Sequence, residues 1–177
     1  MPGLWVAAVV LCLLRSNLQA LQVGDRAPTF ALPRLSGPDV FLRDFCGREL
    51  RDPAVRPRVV VLDFWATWCA PCQKSLPAIR ETVARFDSTR VVLLIVSEDD
   101  AKTQSRVASM LLPLAGNEYC ALDTYRWVMR DRYGLPAIPR TFVISPRGNI
   151  VALLGSHDNT AALSGELTGA IGRAFSE

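Results

Sequence analysis

The stretch Val60-Val61-Leu62-Asp63-Phe64-Trp65-Ala66-Thr67-Trp68-Cys69-Ala70-Pro71-Cys72 decides how the chain is read. A mostly apolar run, of the kind found in strands covered on both faces, ends in two cysteines separated by two residues. A helical pattern begins at once: Leu76, Ile79, Val83 and Phe86 recur at steps of three and four and form one apolar stripe. The cysteines therefore lie at a helix N-terminus, where unpaired backbone N–H groups and the helix dipole favour negative charge. Pro71 suits a first turn, having a fixed φ and no amide proton to satisfy. A thiol in such a place falls from a pKa of about 8.5 into the range of roughly 3.5 to 7.5. The thiolate is the species that attacks a disulfide, which makes Cys69 the attacking group and Cys72, further into the helix, the resolving one. Half of a zinc site and a purely structural disulfide are the competing readings. Zinc needs a second pair of ligands, and Cys46, Cys120 and the sole histidine, His157, show no paired spacing.

Asp63 interrupts the apolar strand six positions before Cys69, and alternation does not by itself decide which face it occupies. One reading is a buried carboxylate with a raised pKa that exchanges protons with Cys72 through water. The other is a carboxylate at a sheet end, bonded to backbone or arginine.

Working outward, Val91 to Val96 is a second apolar run, and the intervening helix makes a crossover unit. Phe30-Ala31-Leu32 and Val40-Phe41-Leu42 flank the turn signal Ser36-Gly37-Pro38-Asp39 and predict a hairpin. Cys46 to Arg58 reads as an exposed connection. Glu98-Asp99-Asp100 is read as the start of a helical stretch carrying Val107, Leu111 and Leu112, and a short helix is expected over Thr124 to Tyr133. Strands at Thr141–Ser145 and Ile150–Leu154 surround the turn signal Pro146-Arg147-Gly148-Asn149, and a last helix runs from about Asn159 to Phe175. The sum is an α/β chain with a mixed sheet and helices on both faces.

With 177 residues the chain is long enough for one domain and too short to expect two. Its 20 basic and 17 acidic residues give no reason to propose nucleic acid as a partner. Leu4 to Leu14 is an apolar run of about 16 Å as helix, roughly half a bilayer core. Residues 1–20 are therefore read as a secretory signal, with a retained membrane anchor through 4–14 as the alternative, and Cys12 as apolar filler. The remaining residues, 21–177, form the domain. Outside the cytoplasm a disulfide persists, so Cys46 and Cys120 are read as a structural bridge, as two buried free thiols or as thiols with an auxiliary redox role.

Asp63-Phe64-Trp65-Ala66-Thr67-Trp68-Cys69-Ala70-Pro71-Cys72 resembles the active site of the thioredoxin superfamily. Phe64 to Cys69 in particular resembles the exported thiol reductases of the TlpA and ResA type. Pro77 falls where those proteins kink the active-site helix. Tyr133-Gly134-Leu135-Pro136-Ala137-Ile138-Pro139-Arg140-Thr141-Phe142 resembles the family's loop and strand carrying a cis-proline, here Pro139. Ala27-Pro28-Thr29-Phe30-Ala31-Leu32 resembles its entry segment. The resemblance covers roughly Val23 to Gly155. It implies a thioredoxin-like fold with an N-terminal β-hairpin extension, and a two-thiol active site with Asp63 at the buried carboxylate position. It also implies a docking surface in which Trp68 flanks the thiol and the backbone beside Ile138 and Pro139 holds an incoming protein. Arg140 departs from the pattern, standing where threonine is common and adding a charged donor near the docking loop.

The activity implied is that of an extracytoplasmic thiol–disulfide oxidoreductase, more a reductase than an oxidase, acting on disulfide-bearing proteins such as apocytochrome c. Its electrons would come from a membrane thiol or electron-donor protein, with no cofactor and no bound metal. Two other functions compete. A thiol peroxidase would need a threonine and arginine pocket around Cys69, and Thr67 alone does not supply it. A copper-delivery module would hold metal on Cys69 and Cys72, with His157 helping only if folding brings it to the metal, and no methionine-rich stretch supports it.

Overall fold

The computed structural model describes residues 20–157 and 159–177, so Cys12 and the expected leader at 1–20, apart from Ala20, lie outside the described residues. β1 (Ala31–Leu32) and β2 (Val40–Phe41) pair antiparallel as the expected hairpin, with Gly37 at φ 100 inside its turn. A 3₁₀ turn (Leu42–Asp44) follows, in which Asp44 accepts the Phe41 N–H at 3.0 Å. Then come β3 (Val59–Trp65), α1 (Ala70–Ala84), β4 (Val91–Ser97), α2 (Ser105–Leu111), β5 (Glu118–Leu122), a π-helical turn (Val128–Arg132), β6 (Arg140–Ile144), β7 (Ile150–Leu154) and α3 (Thr160–Ala174).

The five-stranded sheet has the order β5-β4-β3-β6-β7; β3, β4 and β5 are parallel, while β6 and β7 run antiparallel to their neighbours. Every residue of β3 and β4 is buried, which is why neither run shows hydrophobic alternation. Successive side chains nevertheless serve different faces. Val59, Val61 and Trp65, with Val91, Leu93 and Ile95, pack against Ile79 and Val83 of α1, Val107 and Leu111 of α2, and Leu163, Leu167 and Ile171 of α3. Val60, Leu62 and Phe64, with Val92, Leu94 and Val96, pack against the hairpin, the 3₁₀ turn and the π-helical turn. On that second face Tyr133 lies 5.1 Å from both Phe64 and Phe142, centroid to centroid, and its hydroxyl donates to the Pro28 carbonyl at 3.0 Å. This is the thioredoxin-like architecture, with the hairpin as its N-terminal extension.

Two local expectations fail. Glu98 to Asp100 does not start a helix: Ser97, Glu98 and Asp99 are buried at the end of β4, and the helix is confined to Ser105–Leu111. The side chain of Asp99 is taken by neighbours across the strand ends rather than by a helix start. Strand β5 was unforeseen, because Glu118 at its head breaks the apolar pattern. The carboxylate is paired there with Arg80 of α1 at 2.7 and 2.9 Å.

Candidate active site

β3 delivers the chain to the top of the sheet at Trp65, and Ala66 to Trp68 carry it over to α1. Cys69 is the N-cap of α1, extended at φ −90 and ψ 95, and its sulfur accepts the Cys72 N–H at 3.2 Å. A cysteine sulfur thus occupies the position where Ser or Asp ordinarily satisfies a free helix N–H. Cys69 and Cys72 form a disulfide with S–S 2.03 Å and Cα–Cα 5.2 Å. Cys69 is 5% exposed and Cys72 is fully covered, so an incoming group meets Cys69 first. The Gln73 side chain donates to the Thr67 carbonyl at 2.6 Å and ties the helix back to the loop before it.

The strand register answers what alternation left open for Asp63. It pairs with Thr141 of β6 and lies between Val61 and Trp65 on the face covered by α1, the same side as both cysteines. Its Oδ1 accepts the Thr141 hydroxyl at 2.7 Å, and its Oδ2 is buried with no partner among the described residues. Desolvation by complete burial pushes its pKa up to about 7, although the Thr141 hydrogen bond pulls the other way. Among the described residues neither arginine nor backbone holds this carboxylate.

The Ile138–Pro139 bond is cis; Pro139 is buried, and Ile138 is half-buried against the packing on both faces of the sheet. Trp68 is half exposed and carries the Arg126 guanidinium 5.2 Å from its ring centroid. Arg140 pairs with Phe64, on the opposite face from Asp63, and its side chain runs beside Gly155, where a β-carbon would stand 3.6 Å from its Nη1. The fold thus gathers Cys69, Cys72, Asp63 and Trp68 around the junction of β3 and α1 and sets the Arg140 side chain beside Gly155. His157 lies 3.6 Å from Glu166 of α3. Cys46 and Cys120 are free and buried, one on each side of the sheet, so they do not bridge. Burial pushes each thiol up to about 12.

Sequence reasoning missed the carboxylates at the ends of β4 and β5. Asp99 accepts both the N–H and the hydroxyl of Thr67, and also the Ser97 hydroxyl, so it braces the loop leading to Cys69 and commits the Thr67 hydroxyl. Glu98 is fully buried, with both oxygens unpartnered among the described residues. Desolvation first, then the nearby Asp123 charge, raises its pKa to about 9 against the pull of Arg126 and Arg130. The usable signal was position: a polar run directly after an apolar strand parallel to β3 must end beside the site.

A thioredoxin-like sheet with a disulfide at a helix N-terminus, above a buried carboxylate, defines a thiol–disulfide oxidoreductase. The chain belongs to the thioredoxin superfamily and, within it, to the AhpC/TSA family, whose profile matches residues 23–153. It is 30% identical over 136 residues to thiol-disulfide oxidoreductase ResA of Bacillus subtilis (strain 168), covering 77% of this chain and 69% of that protein. ResA of Oceanobacillus iheyensis is 28% identical over 152 residues, covering 82% of this chain and 72% of that one. Among solved structures, a Chlorobium tepidum protein assigned as thiol:disulfide interchange protein DsbE superposes with a TM-score of 0.68 at 27% identity, covering 86% of this chain and 99% of the other.

Proposed function

We propose that this oxidoreductase works outside the cytoplasm as a reductase of protein disulfides, with Cys69 attacking and Cys72 resolving. The observation that carries the thiol assignment is the Cys69 sulfur at the N-cap of α1, where the Cys72 N–H stabilises a thiolate and makes Cys69 the attacking group; the reductive direction rests on the similarity to the ResA proteins. The Cys69 thiolate attacks one sulfur of a target disulfide; a mixed disulfide forms and the other target sulfur leaves as a thiolate. Cys72 then gives up its proton and attacks the Cys69 sulfur, which closes the intramolecular disulfide and frees the second target thiolate. Two electrons pass to the target, and two protons follow. Asp63, with a buried and unbonded Oδ2, is the group suited to take the Cys72 proton through water. An external dithiol, presented by a membrane protein, restores the pair. Ile138, Pro139 and Trp68 form the docking edge for the target. Apocytochrome c, whose cysteines must be reduced before haem attaches, is the target this lineage favours.

Direction is read from the reduction potential of Cys69–Cys72 in glutathione or dithiothreitol buffers. A value near about −270 mV supports a reductase, and one near about −120 mV refutes it. The roles are read by trapping. Cys72→Ser accumulates mixed disulfides with a target on a non-reducing gel and Cys69→Ser does not; equal trapping by both refutes the assignment.

A further inference from the structure

Among the described residues the aromatic side chains that stand exposed are Trp68, Tyr125 and Trp127, at 49%, 90% and 43%. Trp68 directly precedes Cys69; the other two flank Arg126 in the loop after β5. Arginine joins the two segments: Arg126 lies over Trp68 at 5.2 Å, and Arg132 lies over Trp127 at 4.8 Å. Aromatic residues and arginine together are the composition of interface anchors, and exposed apolar area of this kind marks interaction sites.

The loop is held in shape. Buried Asp123 accepts the N–H groups of Trp127 and Met129, each at 2.9 Å, and the Arg126 N–H donates to the Asp123 carbonyl at 2.7 Å. Arg126 sits at φ 57, a left-handed conformation uncommon for a residue other than glycine, and such conformations persist where surrounding structure enforces them. The anchors are therefore presented with little ordering left to do on binding.

The arginines at this corner are not paired by contact: among the described residues Arg126, Arg130 and Arg132, like most of the arginines, have no carboxylate within ion-pairing distance. The carboxylates beneath them do not neutralise them by contact. Asp99 is committed to Thr67 and Ser97, Asp123 to the loop backbone, and Glu98 is buried without a partner; Asp131 is the exposed acid of the turn.

We propose that the Tyr125–Trp127 loop and Trp68 form one docking surface that selects target disulfides flanked by carboxylate side chains and an apolar residue. The inference rests on the protein-disulfide reading above and names the chemistry of the segment that reading requires. The apolar residue covers the indole faces, and the carboxylates meet Arg126, Arg130 and Arg132, whose planar forks suit bidentate pairing.

Two disulfide-bridged peptides of equal length and equal apolar content, one with glutamates and one with lysines beside its cysteines, test this. The reduced protein is expected to act on the acidic peptide about tenfold faster in kcat/KM at low salt, the gap shrinking as salt rises. Arg126→Gln should shrink the ratio several-fold and Arg126→Glu should invert it. Binding of the same peptides with serine in place of both cysteines, to the oxidised protein, reads docking without chemistry. Equal binding of the two peptides, or a ratio unmoved by Arg126→Glu, overturns the proposal whether or not the protein proves to be a reductase. Failure of the reduced protein to act on bis(2-hydroxyethyl) disulfide, with acidic-peptide preference retained in the binding assay, sinks the reductase reading alone.

Discussion

Asp63→Asn offers the sharpest separation of a proton-handling carboxylate from a structural one. In the folded protein the Asp63 pKa is raised by burial to about 7, from an ordinary 3.8. Between those two values the unfolded chain has released this proton while the folded protein still holds it. Wild-type stability therefore falls as pH rises through that window, and it levels off above the folded pKa. A gap of about three pH units at 1.36 kcal/mol each amounts to about 4 kcal/mol. Asparagine has no proton to lose, so the variant should gain about that much on wild type between pH 4 and pH 8. With an m-value of about 2 kcal/mol per molar in urea, the difference between the two midpoints should shift by roughly 2 M across the range. Both proteins are kept in the disulfide form, so that no thiol titrates alongside, and Glu98 is common to both and cancels. The reduced variant should in addition resolve mixed disulfides more slowly near neutral pH. A midpoint difference that stays constant from pH 4 to pH 8 would refute the reasoning, because it would mean that Asp63 ionises in the folded protein as it does in the unfolded one.

Glu98→Gln follows the same sign over a different window: it should gain stability on wild type as pH rises from about 4.5 to about 9, read from paired urea curves. Cys46 and Cys120 are buried, with thiols pushed up to about 12, so iodoacetamide at pH 7.5 should label the reduced native protein at Cys69 and leave those two unmodified until the chain is unfolded. Peptide mass spectrometry settles it, and rapid native labelling of Cys46 or Cys120 would contradict the packing described.

What the sequence determined by itself was whatever local chemistry encodes. Two cysteines three apart after an apolar strand, with Pro71 in the first helical turn, specify a thiol pair at a helix N-terminus in almost any surroundings. The helical stripe from Leu76 to Val83 and the turn signals at Gly37 and Gly148 act over a few residues, and they placed α1, the hairpin and the β6–β7 turn within a residue or two. Tertiary structure decided the rest, because those features depend on residues distant in sequence. A fully buried strand shows no alternation, so only pairing with Thr141 puts Asp63 on the α1 side. Glu118 conceals β5 until Arg80 of α1 neutralises it. In the sequence Asp99 reads as part of a helix start and Arg126 as one residue of a short helix; parallel packing of β4 and β5 beside β3 carries them to Thr67 and Trp68. Adjacent parallel strands bring their ends together however many residues separate them along the chain, so the surroundings of Cys69 become visible only once the sheet is assembled.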